Sequence, residues 1–297
     1  MKLWEAIVMG IVQGLAEFLP ISSSGHLALF KNILGIDLEA AGGLLFDVML
    51  HFGTLVAIFV VFWKDIKKLI IEGFSIIGDF FINVGRFFSN RIGQAGKNEP
   101  KEYKKVIDGA YRKFVMMVIV STIPTGIIGV LLDNFIEKAS ESVIIPGVGL
   151  IITAILLTIA DHAELGKKRP NQISYTEAGI VGIAQGIATM PGISRSGTTI
   201  TTCLKLGFDK NFAVKYSFIM SIPAVLGAVV LKLKDFASIT FETATIVNYT
   251  IGTIVSAVVG YICIKTMLVI VRGKKFKGFA FYCFIVGAIA IIWNFVG

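Results

Sequence analysis

"QGLAEFLPISSSGH", residues 13–26, interrupts the first apolar run of the chain with a carboxylate, a proline, three serines, a glycine and a histidine. A simple membrane-crossing helix stays apolar, because hydrocarbon offers no partner to a stray polar group. The interruption recurs in the second half. "EAIVMGIVQGLAEFLPISSSGH" from Glu5 and "EAGIVGIAQGIATMPGISRSGT" from Glu177 align without a gap, with 11 of 22 positions identical. Gly10/Gly182, Gln13/Gln185, Gly14/Gly186, Ser22/Ser194, Ser24/Ser196 and Gly25/Gly197 fall in register. Shared greasiness would not align polar residues, so the chain is read as an internal repeat.

The surroundings identify the solvent as lipid. The 297 residues are 55% hydrophobic and 16% charged, with mean hydropathy +0.79; soluble domains carry about 25% charge. Six runs approach the roughly 20 residues a bilayer requires: 44–63, 114–132, 143–161, 212–231, 246–270 and 278–296. The net charge of +8 gathers in short inter-helix segments. That pattern signals topology rather than a nucleic-acid groove, so no nucleic-acid partner is expected. The first segment lacks the signature of a cleaved leader and is expected to stay in the mature protein. Cys203, Cys263 and Cys283 are widely spaced and read as small core residues.

Charge also orients the chain. Segment 64–113 carries eleven Lys/Arg against six Asp/Glu, and 272–277 carries Arg272, Lys274, Lys275 and Lys277; both belong inside. Segments 35–43 and 133–142 lean acidic and read as external. Within 64–113, Ile70, Phe74, Ile77, Phe81, Val84 and Phe88 recur at helical steps and predict an amphipathic helix on the membrane surface. "GQAGKNEPKEYKK" after it reads as a solvated connection. Three crossings separate the repeat copies, so the copies take opposite orientations. Each has an apolar arm, a Pro/Gly/Ser break and a short second arm, which predicts a re-entrant hairpin. The expected fold is an all-α polytopic membrane protein: one domain over 1–297, six transmembrane helices and two re-entrant hairpins inserted from opposite faces. Repeat 1 spans about 1–132, with its hairpin at 1–34; repeat 2 spans about 143–297, with its hairpin at 175–208.

The breaks hold the chemistry. Arg195, in "PGISRSGTT", is expensive inside a membrane and offers a fork of donors suited to phosphate. Ser194, Ser196, Thr198 and Thr199 add hydroxyls, and Gly197 lets backbone amides approach an anion. A bare salt bridge to Glu17 that locks the hairpins together accounts equally well for Arg195 alone. In the first copy Gln13 and Glu17 share a helix face, and Ser22, Ser23, Ser24 and His26 follow Pro20. A carboxylate, a hydroxyl and an imidazole suit acid–base or nucleophilic phosphoryl transfer; helix-capping serines are the plainer role. Asp47 and His51, also four apart inside a membrane helix, are functional candidates as intramembrane ionisable residues; an inter-helix hydrogen bond that steadies the first hairpin is the plainer reading.

"GIVQGLAEFLPISSSGHL" and "PGISRSGTT" resemble the two signatures of the bacterial undecaprenyl-diphosphate phosphatase family, also known as bacitracin resistance proteins. The likeness runs along nearly the whole chain, through "FDVMLHFGTLVAIFVVFW", "STIPTGIIGVLLDNFIE" and "AVKYSFIMSIPAVLGAV". It implies a plasma-membrane hydrolase, open to the outer face, that converts undecaprenyl diphosphate to undecaprenyl phosphate and inorganic phosphate. That step recycles the lipid carrier of cell-wall synthesis. The family's essential serine, histidine and arginine fall on Ser23, His26 and Arg195, and its second-signature serine and threonine on Ser194 and Thr199. The resemblance also implies stimulation by a divalent cation such as magnesium or calcium. Glu17 is the best candidate ligand, although no cage follows from the sequence, and Gln13 stands where the family also uses Glu. The partners implied are undecaprenyl diphosphate and the bilayer, and a homodimer is compatible with them.

The mechanism expected has Arg195, Ser194, Thr199 and backbone amides hold the diphosphate, with Gln13, Ser22, Ser24, Ser196, Gly197 and Thr198 lining it. Glu17 orients or deprotonates Ser23, which attacks the terminal phosphorus while His26 assists proton transfer. A phosphohistidine on His26 is the rival within this chemistry. A polyprenyl-phosphate flippase or inverted-repeat transporter is the rival outside it.

Overall fold

The computed structural model describes residues 2–34, 43–93, 100–164, 166–236, 243–273 and 276–296. Helices dominate throughout: α1 (Leu3–Phe18), α2 (Ser23–Leu34), α3 (Gly43–Gly93), α4 (Ala110–Glu141), α5 (Ile144–Asp161), α6 (Tyr175–Ile187), α7 (Arg195–Lys205), α8 (Lys210–Phe236), α9 (Thr243–Arg272) and α10 (Lys277–Val296). Among the described residues, extended pairing is confined to two isolated bridges, Gly166–Asp209 and Lys168–Phe208.

Six helices, α3, α4, α5, α8, α9 and α10, are long and apolar enough to cross a membrane, and they contain the six runs read from hydropathy. Their outward faces carry bare hydrophobic residues such as Leu131, Val269, Trp293 and Phe295. In water such a surface would aggregate; against lipid it needs no cover. The remaining helices α1, α2, α6 and α7 have 16, 12, 13 and 11 residues, short of a crossing. They pair across breaks at 19–22 and 188–194.

The repeated glycines explain how these short helices are held. A Cβ on Gly10 would lie 2.5 Å from Gly252 O of α9, and one on Gly14 2.8 Å from Ser256 O. In the second copy a Cβ on Gly182 would collide with Ser121 O of α4, and one on Gly186 would lie 2.8 Å from Ile128 Cβ. Between helices in lipid, close backbone approach replaces the hydrophobic effect as the source of packing. Thr125 Oγ1 of α4 uses that closeness to donate to Gly182 O at 2.8 Å.

α3 joins the first span to the predicted amphipathic helix. Its one non-helical residue, Phe62 (φ −104°, ψ 19°), is a kink between two helices, where the span read as 44–63 ends. One feature differs from the hydropathy reading: the connection after α3 is not wholly free. Its described part, from Pro100, lies along α3, where Asn83 Oδ1 and Nδ2 pair with Lys104 N and O. Asn90 pairs likewise with Lys101, and Arg86 donates to Glu102 O. Two amides seven residues apart on one helix face repeat along an extended chain, a match that neither segment reveals alone. Most of the acidic segment 35–43, and Lys274 and Lys275, lie outside the described residues.

Candidate active site

The two breaks meet. A Cβ on Gly25 would stand 2.8 Å from the Gly192 Cα, and one on Gly197 3.3 Å from Pro20 Cβ. Each tip has its own local logic. At the first, Ser22 adopts φ 70°, a left-handed turn that residues with a Cβ rarely take. The turn lets Ser22 Oγ accept from Gly25 N at 3.2 Å, capping α2. Ser24 Oγ lies 3.3 Å from Ser22 Oγ. At the second tip Gly192 has φ +86° and a Cβ there would collide with Pro146 O, so only glycine fits. Thr153 of α5 clamps this tip: Thr153 Oγ1 donates to Gly192 O and accepts from Ser194 N, both at 2.9 Å. Ser194 Oγ then accepts from Gly197 N at 3.1 Å and caps α7.

The clamped tips present Glu17 and Arg195 to each other. Arg195 Nη2 donates to Glu17 Oε1, and Ser23 Oγ donates to Glu17 Oε2 at 2.6 Å. Gln13 Nε2, one helical turn before Glu17, donates to the same Oε2 at 3.1 Å. Both carboxylate oxygens are therefore engaged by protein donors. Glu17 is buried, with a side chain 3% exposed, while Arg195 is 20% exposed and so reaches the edge of the cluster. Two atoms here are buried without a partner among the described residues: Arg195 Nη1 and Gln13 Oε1. A guanidinium nitrogen left unsatisfied out of water is expensive and marks a place for an anion.

Other predicted residues divide between tip and scaffold. Ser194, Ser196 and Thr199 are buried and committed locally: Ser194 Oγ faces Ser196 Oγ at 3.4 Å, and Thr199 Oγ1 meets Ser217 Oγ at 2.6 Å. Thr198 Oγ1 is buried without a partner among the described residues. His26 bonds to Ser22 and to α10. Its Nδ1 is 2.8 Å from Ser22 O and its Nε2 2.8 Å from the Tyr282 hydroxyl of α10, with the two rings stacked. The histidine beside the carboxylate is His51, whose Nδ1 lies 2.9 Å from Gln13 Nε2 and 3.6 Å from Glu17 Oε2. Asp47, its expected companion, pairs instead with Lys31 at 2.5 Å. The inter-helix bond expected of His51 is thus present, and it lands on the cluster around Glu17. Thr153, Ser217 and Tyr282 carried no local signal in the sequence. They sit on α5, α8 and α10, and only packing brings them to the tips.

A resident metal on Glu17 does not fit these contacts, since Arg195 and Ser23 already hold its two oxygens. Among the described residues no three His, Cys, Asp or Glu side chains gather as a cage.

Similarity to known proteins converges on one family. The family model for "Bacitracin resistance protein BacA" matches residues 6–289. A protein named undecaprenyl-diphosphatase from Methanosphaera stadtmanae is 42% identical over 293 residues, 98% of each chain. Proteins of the same name from Halothermothrix orenii and Desulforapulum autotrophicum are each 39% identical, over 98% and 100% of both chains.

Proposed function

Because the chain belongs to the bacitracin resistance protein BacA family, we propose that it hydrolyses undecaprenyl diphosphate to undecaprenyl phosphate and inorganic phosphate. The observation that carries this reading is the carboxylate shared across the two tips: Glu17 takes the Ser23 hydroxyl on one oxygen and Arg195 on the other. A hydroxyl aimed at a buried carboxylate, beside a guanidinium with a free arm, suits nucleophilic attack on an anion.

In this mechanism Arg195 Nη1 and Thr198 Oγ1 make the first contacts to the diphosphate. Ser22, Ser24, Ser194, Ser196, Gly197 and Thr199 hold the two tips in shape. Ser23 Oγ attacks the terminal phosphorus and passes its proton to Glu17 Oε2. The bond to the bridging oxygen breaks and undecaprenyl phosphate leaves; water then displaces the phosphoryl group from Ser23. Both ring nitrogens of His26 have partners, which favours Ser23 over His26 as nucleophile. A divalent cation brought in on the diphosphate oxygens is compatible with this scheme.

The same proposal sets the pairs α1–α2 and α6–α7 as re-entrant hairpins dipping from opposite faces of the plasma membrane. Three apolar spans, in α3, α4 and α5, separate them, and the basic excess of 64–113 puts that segment inside. The site then opens outward: His51 stands eight residues from the start of α3, about 12 Å at helical rise.

Phosphate release from undecaprenyl diphosphate by the purified protein in detergent tests the reading. Wild type releases phosphate, and Arg195→Ala and Glu17→Gln do not. Trapped phosphoenzyme labels Ser23; label on His26 would reverse the assignment. A wild-type protein that moves the lipid across a bilayer without releasing phosphate is a flippase instead.

A further inference from the structure

We propose that the cleft between the α1–α2 turn and the start of α10 receives the polyprenyl chain where it joins the diphosphate, and that its walls select a branched isoprenoid chain over a straight one. The proposal rests on the hydrolase reading above and deepens it, by naming the residues that read the lipid end of the substrate.

The cleft has a volume of about 340 Å³ and is lined by Ile21, Gly278, Phe279 and Tyr282. Ile21 belongs to the break between α1 and α2, two residues before Ser23. The other three come from the first two turns of α10. Two contacts hold α10 against the break. The Tyr282 hydroxyl lies 2.8 Å from His26 Nε2, with the two rings stacked, and the buried Cys283 Sγ donates to Pro20 O at 3.8 Å. With its hydroxyl engaged, Tyr282 offers the cleft an apolar ring. The residue is 42% exposed on a helix long and apolar enough to cross the membrane. The cleft is thus open to lipid and floored by the tip that carries Ser23.

Chemistry decides the occupant. The lining side chains are hydrocarbon apart from the Tyr282 hydroxyl, which His26 engages, so the cleft has nothing for a headgroup or an ion. An apolar chain gains no hydrophobic free energy by leaving lipid for such a place. What it gains is packing, and packing depends on shape. At about 340 Å³ the cleft sits at the lower end of the roughly 300–1,000 Å³ of small-molecule sites, with room for the first isoprene units and not for the whole chain. The polar end of the same molecule belongs at Arg195 and Ser23. Ser23 and His26 are three apart on α2 and share a face, so the step from the Tyr282 wall to the reacting hydroxyl is short. One kind of ligand satisfies both places: a diphosphate whose branched apolar chain begins at the head. Gly278 gives a way to test it, because a Cβ there meets nothing within 4 Å and a larger residue narrows the cleft without striking the fold.

The test compares phosphate release from farnesyl diphosphate and dodecyl diphosphate, with the full-length protein in detergent. The two chains have the same main-chain length and differ in methyl branches and double bonds. Attack falls on the terminal phosphorus in both, so only the chain distinguishes them. Wild type should favour the farnesyl substrate about tenfold in kcat/KM, chiefly through KM, and Gly278→Leu should bring that ratio below about threefold. Tyr282→Phe keeps the wall and loses only the bond to His26, so the preference should survive even where kcat falls. A farnesyl diphosphate with a photoactivatable tail should label Phe279 or Tyr282 of wild type. Equal kcat/KM for the two substrates in wild type, an undiminished preference in Gly278→Leu, a preference lost with the Tyr282 hydroxyl, or label confined to other helices overturns the assignment of the cleft. Wild type that releases phosphate from neither substrate nor from undecaprenyl diphosphate overturns the hydrolase reading itself, a distinct result.

Discussion

Gly25 and Gly192 touch: the tip of one broken helix pair rests on the backbone of the other, with room for hydrogen and nothing larger. Everything at the site depends on that contact, since Ser23 and Glu17 belong to one tip and Arg195 to the other. Gly25→Ala should therefore separate the tips by a few tenths of an ångström. We expect a destabilisation of about 1–3 kcal/mol and a loss of kcat larger than the change in KM. Thermal unfolding in detergent and phosphate-release kinetics on one preparation check both; an unchanged kcat would detach catalysis from tip contact.

Arg195→Lys keeps the charge and can still reach Glu17, but it forfeits the second arm of the fork. The expected result is a fall in phosphate release of about 100-fold with little change in melting temperature. A lysine enzyme as fast as wild type would show that Arg195 only locks the tips together.

Thr153 makes two hydrogen bonds to the second tip from a helix that carries no catalytic group. Thr153→Val retains the shape while leaving Gly192 O and Ser194 N without their partner. Each unsatisfied buried group costs about 1–3 kcal/mol, so the melting temperature should fall and activity with it. Thr153→Ser, which retains the hydroxyl, should recover most of both.

At the start of α6, Ser174 and Glu177 form a reciprocal cap, and Lys168 donates to Glu177 at 2.5 Å. Burial by itself would raise the Glu177 carboxyl; the bonds from Lys168 and Ser174 outweigh it and hold the group below its ordinary value. A carboxyl lowered by folding adds stability above its unfolded value and loses it as pH falls through the folded one. Wild type should thus melt higher than Glu177→Gln near neutrality, with the gap closing as pH falls below the ordinary carboxylate range. A gap that stays constant across that range would remove the ionised carboxylate from the cap.

Much of this molecule is legible in one dimension. The six apolar runs, the register of the two copies, and the glycines at 10, 14, 182 and 186 all announce a helical membrane protein with two interrupted elements. Glu17, Ser23 and Arg195 stand out because ionisable and hydroxyl groups are out of place in an apolar run. The pairing of Asn83 with Lys104 and of Asn90 with Lys101 is not visible there, because the partners lie beyond the helix end.

The histidines show where the order of residues stops informing. His26 lies three residues from Ser23, and its Nε2 meets the Tyr282 hydroxyl, 256 positions away. His51 reaches the Glu17 carboxylate because α3 packs against α1. Solvent preference and local repetition are properties of residues in order, and they decided which segments enter lipid and which break within it. Which side chains share an atom is settled by the crossing of helices that the chain does not place side by side. The pairing of His51 with Glu17 was therefore decided in three dimensions alone.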